Sequence, residues 1–404
     1  MKRKTVRSAA AAAAAVCTAL MMSVCYYGRT LPDEFRTEYG EKLTLGTALP
    51  IEAVRAEGNT LEAFAGNGGG ERLSLELFGS VPVKEVNRTS MKRPRLCVGG
   101  QAFGIKLVTD GVMIIDMKKL SGVCPAREAG LRVGDVIESL NGEQVGSNSR
   151  ISELIRASGG EDCVIRYRRG DKSRECTLTP VFSAGSYRAG MWVRDSSAGI
   201  GTMTFTDPET GAFAGLGHSI CDNDTHEPLP LSHGSISGVR IDGVTKSLRG
   251  EPGQLLGEFS GEDIGELTLN CTGGVYGIMT DEPIEAVSYP LGFAHEVHEG
   301  AAYMIAQTDG GEPERYSVTI EQVAPSDCPH DLIIHTDDSR LIEAAGGIVQ
   351  GMSGSPIIQD GRLVGAVTHV FVDDPCGGYG IFAETMYENA LKAVGSAGCE
   401  REAG

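Results

Sequence analysis

No Cys-x-x-Cys pair occurs among the 11 cysteines. That removes the usual sequence signs of a zinc knuckle or a thioredoxin-like redox site. Aromatic residues make up only 6% of the chain, with a single tryptophan, against 55 glycines. This balance disfavours helical bundles and favours turn-rich β structure. Basic residues are also scarce: 36 Lys and Arg stand against 54 Asp and Glu, a formal net charge of −18. The chain lacks the basic footprint that nucleic acid requires, and its body is poorly suited to lie on anionic lipid. What is present supports a folded protein. Hydrophobic residues reach 41% over 404 positions, enough for two or three domains with real cores. An odd cysteine count leaves at least one thiol unpaired within the chain. Mostly unpaired, buried cysteines are expected, with room for one or two disulfides whose pairing the sequence does not give.

The N-terminus departs from the acidic average. Lys2, Arg3, Lys4 and Arg7 precede an uncharged run from Ser8 to Gly28. Such a run is about the ~20 residues that cross a bilayer as a helix. Positive charge ahead of it predicts a cytoplasmic N-terminus and an exported body. A cleaved signal peptide is the rival reading. Ser23-Val24-Cys25 is a poor small-x-small cleavage site, which favours a retained anchor over residues 1–28.

Residues 29–96 read as a stalk with a small β unit. Gly66-Asn67-Gly68-Gly69-Gly70 has the composition of a flexible linker. Leu73–Phe78 and Val81–Val86 alternate like strands about a Gly79-Ser80 turn. Residues 97–181 read as one α/β module. Phe103–Leu107 and Gly111–Ile115 are strand-like, a one-turn helix stops at Gly130, Asn141-Gly142 signals a type I′ turn, and Ile151, Leu154 and Ile155 share a helical face. The stretch Ala129-Gly130-Leu131, Gly134-Asp135-Val136-Ile137 and Asn141-Gly142 resembles a PDZ domain of exported bacterial proteases. The resemblance implies a groove that takes an extended peptide by strand addition, with donors near Phe103, Gly104 and Ile105. Residues 182–397 carry short strands separated by Gly, Pro and Asp, as in a β-barrel or sandwich. A small charged tail, 398–404, is expected to be disordered.

The chemistry gathers near the C-terminus at Gly351-Met352-Ser353-Gly354-Ser355-Pro356. A nucleophilic serine attacking a carbonyl creates an oxyanion, which needs backbone N–H donors approachable without a Cβ in the way. Gly351 and Ser353 are the candidate donors, and Gly354 permits a tight turn. Gln359-Asp360-Gly361-Arg362 then predicts a hairpin. The bland reading is a Gly/Ser loop beside that hairpin. Serine needs a base, and histidine suits neutral pH. Of eight histidines, His218 follows glycine in an apolar stretch. His369 lies on the strand after the serine turn, where it lines the core or a specificity pocket. His295 and His298 form a His-x-x-His pair, read as solvated, with a metallopeptidase as a third option. Nothing calls for a cofactor.

Gly217-His218, Thr336-Asp337-Asp338 with Arg340–Glu343, Gly346–Ile357, Ala366–Phe371 and Gly190–Thr202 together resemble the stage IV sporulation protein B peptidase family. The anchor, PDZ and peptidase order matches as well. This resemblance implies a mainly β fold: a trypsin-like double β-barrel behind a PDZ domain and a membrane anchor. It implies His218 as base, Ser353 as nucleophile and Asp338, 15 residues before the serine, as the acidic partner, with Asp337 as rival. Trypsin-like enzymes place that acid far upstream, so Asp338 either orients His218 or shapes the pocket. Met352 stands where digestive relatives hold the aspartate of their zymogen ion pair, so activation by that pair is excluded. The family implies self-cleavage in the stalk with the PDZ domain taking part. It also implies a forespore-membrane location facing the intermembrane space, and cleavage of a membrane-bound regulator of an intramembrane metalloprotease. The expected partners are therefore a protein substrate with an extended segment, the chain itself and the membrane, without nucleic acid. The alternative is a PDZ-based scaffold with an inactive peptidase fold.

Overall fold

Strand Glu314–Val323 places Tyr316, Val318 and Ile320 inward at every second position and polar residues outward. This two-residue period builds a sheet with one buried face. This strand belongs to a closed ring of six: Gly300–Ala306, Glu314–Val323, Leu332–His335, Gly377–Phe382, Arg362–Val370 and Pro356–Gln359, the last two buried along most of their length. Closure leaves no sheet edge to protect. The computed structural model describes residues 2–55, 69–222, 225–280, 287–324 and 330–402.

A second ring precedes it in the chain. Ala102–Met117 pairs with Leu231–Thr245, and the pairing continues through Gln254–Cys271, Gly274–Met279, Ala212–Gly215 and Met191–Thr206 back to Ala102–Met117. The chain is thus mainly β, with the trypsin-like pair of six-stranded barrels. The helix Ala383–Glu402 packs Ala383, Met386, Ala390 and Ala393 into a core shared with Phe205 and Tyr276 of the first barrel and Leu363 and Ala366 of the second. That helix runs on to Glu402, so the expected disordered tail at 398–404 is corrected as far as the described residues go.

The strand Ala102–Met117 joins two units. Its first half lies in the first barrel, opposite Gly199–Thr202 and His233–Gly238. Its second half enters the α/β module: Val112 and Met113 pair with Ile137 and Val136, and Met113–Met117 with Met191–Arg194. The module has its own core, including Ile114, Leu131, Ile137, Ile151 and Ile165. Asn141 and Gly142 both have positive φ, as a type I′ turn requires. Residues 97–181 therefore do not form one separate domain. The module is inserted between two strands of the first barrel, and the boundaries at 97 and at 181/182 move accordingly. A long strand with one apolar pattern can serve two sheets, and the sequence pattern alone does not show where it passes between them.

Near the N-terminus, Lys2–Thr30 is helical, and Ala11–Thr30 is long and apolar enough to cross a membrane. Beyond it, Glu34–Glu38, Val81–Met91, Gly69–Leu77 and Ile51–Arg55 form a four-stranded sheet. Gly69 and Gly70 open a strand, while Gly66–Gly68 of the expected linker lie outside the described residues. Arg93, almost wholly buried, clamps this sheet unit to the second barrel. It donates to Glu38, Glu41, Glu296 and the Leu291 carbonyl. Arg36 likewise bonds Glu384 and Glu388 of the C-terminal helix. The nine cysteines with described side chains are unpaired, but only Cys124 and Cys163 are buried.

Candidate active site

The serine turn is held from both barrels. Val349 and Met352 are buried in the core of the second barrel, which fixes the turn from behind. Across the cleft, the Thr202 N–H donates to the Ser353 carbonyl (2.9 Å), and the Thr202 hydroxyl to the Gly351 carbonyl (2.7 Å). The Thr204 hydroxyl donates to the Gly354 carbonyl (2.7 Å). Gly354 has φ +97°, and a Cβ there would meet the Thr202 carbonyl oxygen at 2.0 Å. Only glycine fits both constraints. Thr202 and Thr204 escape notice in the sequence, because threonine in a strand is ordinary.

His218 is placed by a strained approach. Leu216, a branched residue, has φ +65°, and Gly217 has φ +71°. Two successive left-handed residues turn the chain out of strand Ala212–Gly215 and aim the imidazole into the cleft. His218 Nδ1 lies 2.9 Å from the Ser219 carbonyl oxygen. A carbonyl only accepts, so this contact assigns the proton to Nδ1 and leaves Nε2 with the free lone pair. Burial pushes the imidazole below its ordinary pKa, and the Ser219 carbonyl partly offsets that. Neutral imidazole with a bare Nε2 is the form a general base requires.

His218 and Ser353 line the same cleft of about 760 Å³, together with Ile200, Val349, Thr368 and His369. The Ser353 hydroxyl donates to the Thr368 carbonyl (2.6 Å). In the turn, the Met352 N–H donates to Val349 and the Gly354 N–H to Val367. Among the described residues, the Gly351 and Ser353 N–H groups have no backbone partner.

Of the two placements expected for His369, the structure gives the pocket: it lines the cleft and is not in the core. Its ring stacks against His218 with centroids 4.6 Å apart and lies 5.6 Å from His330, which stacks on Tyr379. Burial and the neighbouring His218 and His330 push His369 down to about 4.

A family model described as SpoIVB peptidase S55 matches residues 185–387, and a PDZ-domain model matches residues 123–169. The chain belongs to the SpoIVB peptidase family. The SpoIVB match begins after Ala102–Met117, so one first-barrel strand lies upstream of the matched segment. Among curated relatives, LL2128 of Lactococcus lactis, which carries the name of a zinc metalloprotease, is 34% identical over 95 residues, 24% of this chain and 21% of that protein. Serine protease HTRA1 of Xenopus laevis is 45% identical over 56 residues, 14% of this chain and 12% of that one. The chain thus spans about a fifth or less of either. The active form of the Rv3671c protease of M. tuberculosis overlaps 49% of this chain and 75% of its own at 16% identity, with a TM-score of 0.30.

Two residue sets expected in this SpoIVB-family chain are placed elsewhere. Phe103, Gly104 and Ile105 are paired on both sides, with Gly201–Gly199 and with Gly238–Ile236. Their backbone is spent on the first barrel, so they offer no free edge to a peptide. Asp338 does not line the cleft. Its carboxylate caps the helix Ser339–Ala345, accepting from the Arg340 N–H, and also takes the Ser317 N–H and the Arg340 guanidinium. Arg340, then these N–H bonds, hold its carboxyl down at about 2. Neither Asp338 nor Asp337 is joined to His218 by a hydrogen bond. Among the described residues, the Ser219 carbonyl is what holds Nδ1. The His-x-x-His pair also separates: His298 is exposed and bonded to Asp360, whereas His295 packs between Phe35 and Phe293.

Proposed function

We propose that this chain is a membrane-anchored serine endopeptidase of the exported side. The carrying observation is the cleft that holds Ser353 and His218 together, with the serine turn strapped by Thr202 and Thr204. In the reaction, rotation about the Ser353 Cα–Cβ bond exchanges the Thr368 carbonyl for His218 Nε2. The imidazole takes the hydroxyl proton as Oγ attacks the scissile carbonyl. The Gly351 and Ser353 N–H groups receive the oxyanion, and His218 gives the proton to the leaving amine as the C–N bond breaks; water, deprotonated by the same imidazole, then hydrolyses the acyl-serine ester and restores the hydroxyl.

The helix Ala11–Thr30 serves as the anchor, which leaves the barrels on the exported face. The family resemblance extends the reading to sporulation: a forespore-membrane enzyme that cuts itself in the N-terminal segment and then a membrane-bound regulator of an intramembrane metalloprotease. The PDZ module, inserted in the catalytic barrel, takes part in presenting the extended substrate segment. Mass spectrometry of purified protein over time tests this. Wild type should shorten from its N-terminal segment, and Ser353→Ala should stay intact. Equal shortening of both would reject self-cleavage.

One observation favours a second reading. The Ser353 hydroxyl rests on Thr368, not His218, as expected of a PDZ-containing scaffold without activity. That reading predicts no difference between wild type and Ser353→Ala in any proteolytic measurement.

A further inference from the structure

On the second barrel, beside the Gly347-Ile348 segment that leads into the serine turn, three side chains of different chemistry converge. His335 ends the strand Leu332–His335, Cys376 precedes the strand Gly377–Phe382, and Asp374 lies on the loop between them in space. One donor atom of each lies within 4.8 Å of the other two. The loop is tightly set. The Cys376 N–H donates to Asp374 Oδ1 (3.2 Å), the Gly377 N–H to the Asp374 carbonyl (2.9 Å), the Phe371 N–H to the Gly377 carbonyl (3.0 Å), and the Thr336 N–H to the Cys376 carbonyl (2.8 Å). These bonds orient the groups without using up their donor atoms. His335 Nε2 and Asp374 Oδ2 stand 3.7 Å apart, too far for a hydrogen bond. Among the described residues, neither the His335 ring nor the Cys376 thiol has a hydrogen-bond partner.

Converging groups that do not bond each other suit a shared cation. Tetrahedral zinc, with bonds of about 2.0–2.3 Å to N, O and S, sets ligand-to-ligand spacings of roughly 3.3–3.8 Å. The observed spacings need only small side-chain rotations to reach that range. Imidazole, carboxylate and thiolate together select a borderline-soft metal over magnesium or calcium, which prefer all-oxygen sites. The half-exposed position leaves the fourth place to water.

We propose that His335, Asp374 and Cys376 form a binding site for one zinc-class divalent cation, placed to brace the loop beside the segment that leads into the serine turn. The opposite face of the same loop supports the approach to Ser353. The Pro375 carbonyl accepts from the Ile348 N–H (2.8 Å), and the Val372 carbonyl from the Gly250 N–H (2.8 Å). A Cβ on Gly347 would meet the Pro375 oxygen at 2.4 Å. Ile348 and Val372 both line the cleft. A cation that fixes Asp374 and Cys376 therefore limits motion of residues 346–351. The site is independent of whether Ser353 is active.

The test is zinc titration of the full-length Ser353→Ala protein in detergent against a chromogenic chelator, with Zn²⁺ alone as the probe. One equivalent should bind. Cys376→Ser and His335→Gln should each weaken it by more than about tenfold, the cost typical of disturbing even an outer shell. His369→Ala should leave it unchanged. Substituted Co²⁺ should give a thiolate-to-metal charge-transfer absorption that Cys376→Ser lacks, a signature no folding defect in His335→Gln would imitate. Absence of zinc uptake, absence of that absorption in the parent protein, or loss of binding with His369→Ala but not Cys376→Ser would each overturn the proposal.

Discussion

The imidazoles of His218 and His369 stack with ring centroids 4.6 Å apart and planes tilted by 33°. Two such rings cannot both be charged at that distance without repulsion. The penalty falls on His369, whose ring keeps one exposed side but is partly desolvated against its neighbours; that desolvation, then His218 and His330, holds it near 4. His218 is held below its ordinary 6.5 by burial. Both are depressed bases, so the unfolded chain binds more protons as pH falls below about 6.5. Stability tied to the neutral pair is complete above that pH and is lost as pH drops toward about 4. Replacing His369 with phenylalanine keeps a ring and removes one titrating group. Urea unfolding of the Ser353→Ala protein at about pH 7.5 and pH 5 should show a smaller acid loss with His369→Phe added. An unchanged pH dependence would contradict the coupling.

Asp338 caps the helix Ser339–Ala345. That helix leads through Gly346 and Gly347 into the serine turn, so the cap is expected to position the turn. Asparagine caps as well as aspartate, whereas alanine costs about 1 kcal/mol. Asp338→Asn should therefore retain most serine reactivity and Asp338→Ala less, with the acid limb of the pH profile unmoved in both. If Asp338 were the acid behind the histidine, asparagine would cost about 10⁴-fold. Reaction rates of the two variants with a serine-directed phosphonate distinguish these outcomes.

Gly354→Ala tests the strap. The new methyl meets the Thr202 carbonyl oxygen at 2.0 Å and the Leu216 nitrogen at 2.5 Å, at φ +97°. Overpacking and left-handed strain together should cost about 2–4 kcal/mol. Denaturant unfolding reads the loss. A change under about 0.5 kcal/mol, the size of an ordinary surface substitution, would show that the turn moves freely.

Arg93→Ala tests the clamp. Burial opposes the charge on Arg93, but Glu296, Glu38 and Glu41 more than offset it and raise its pKa. Removing the guanidinium takes from Glu296, itself mostly buried, the partner that binds both its oxygens, and leaves it Arg362 at 3.2 Å and the Phe293 N–H. Breaking such a pair costs about 3–5 kcal/mol when fully buried. Here Glu38 and Glu41 are nearly half exposed, so a smaller loss is expected. Limited trypsin digestion should cut between the N-terminal sheet and the second barrel sooner in the variant. Identical digestion would mean that other contacts hold the unit.

Much of the molecule was legible because the relevant signals are local. Alternation in Glu314–Val323, positive φ at Asp360-Gly361 and Asn141-Gly142, and the apolar run before Arg29 depend on neighbours in sequence. Ser353 and His218 carry glycines whose purpose is steric and therefore visible. What stayed hidden depends on pairing at a distance. Phe103–Ile105 looks like a free groove strand until Gly199–Gly201 and Ile236–Gly238 occupy both its edges. Asp338 looks like a catalytic acid by spacing, but Arg340, two residues on, and the Ser317 N–H take its oxygens. Thr202 and His369 gain their roles only when the barrels meet.

The most direct test of the account is covalent labelling with a peptidyl phosphonate followed by peptide mapping. Wild type should carry the label on Ser353. Ser353→Ala should carry none, and His218→Ala should react at least about a thousandfold more slowly, since the base would be gone. A label on another residue, or equal labelling of wild type and His218→Ala, would contradict the assignment of Ser353 and His218 as nucleophile and base.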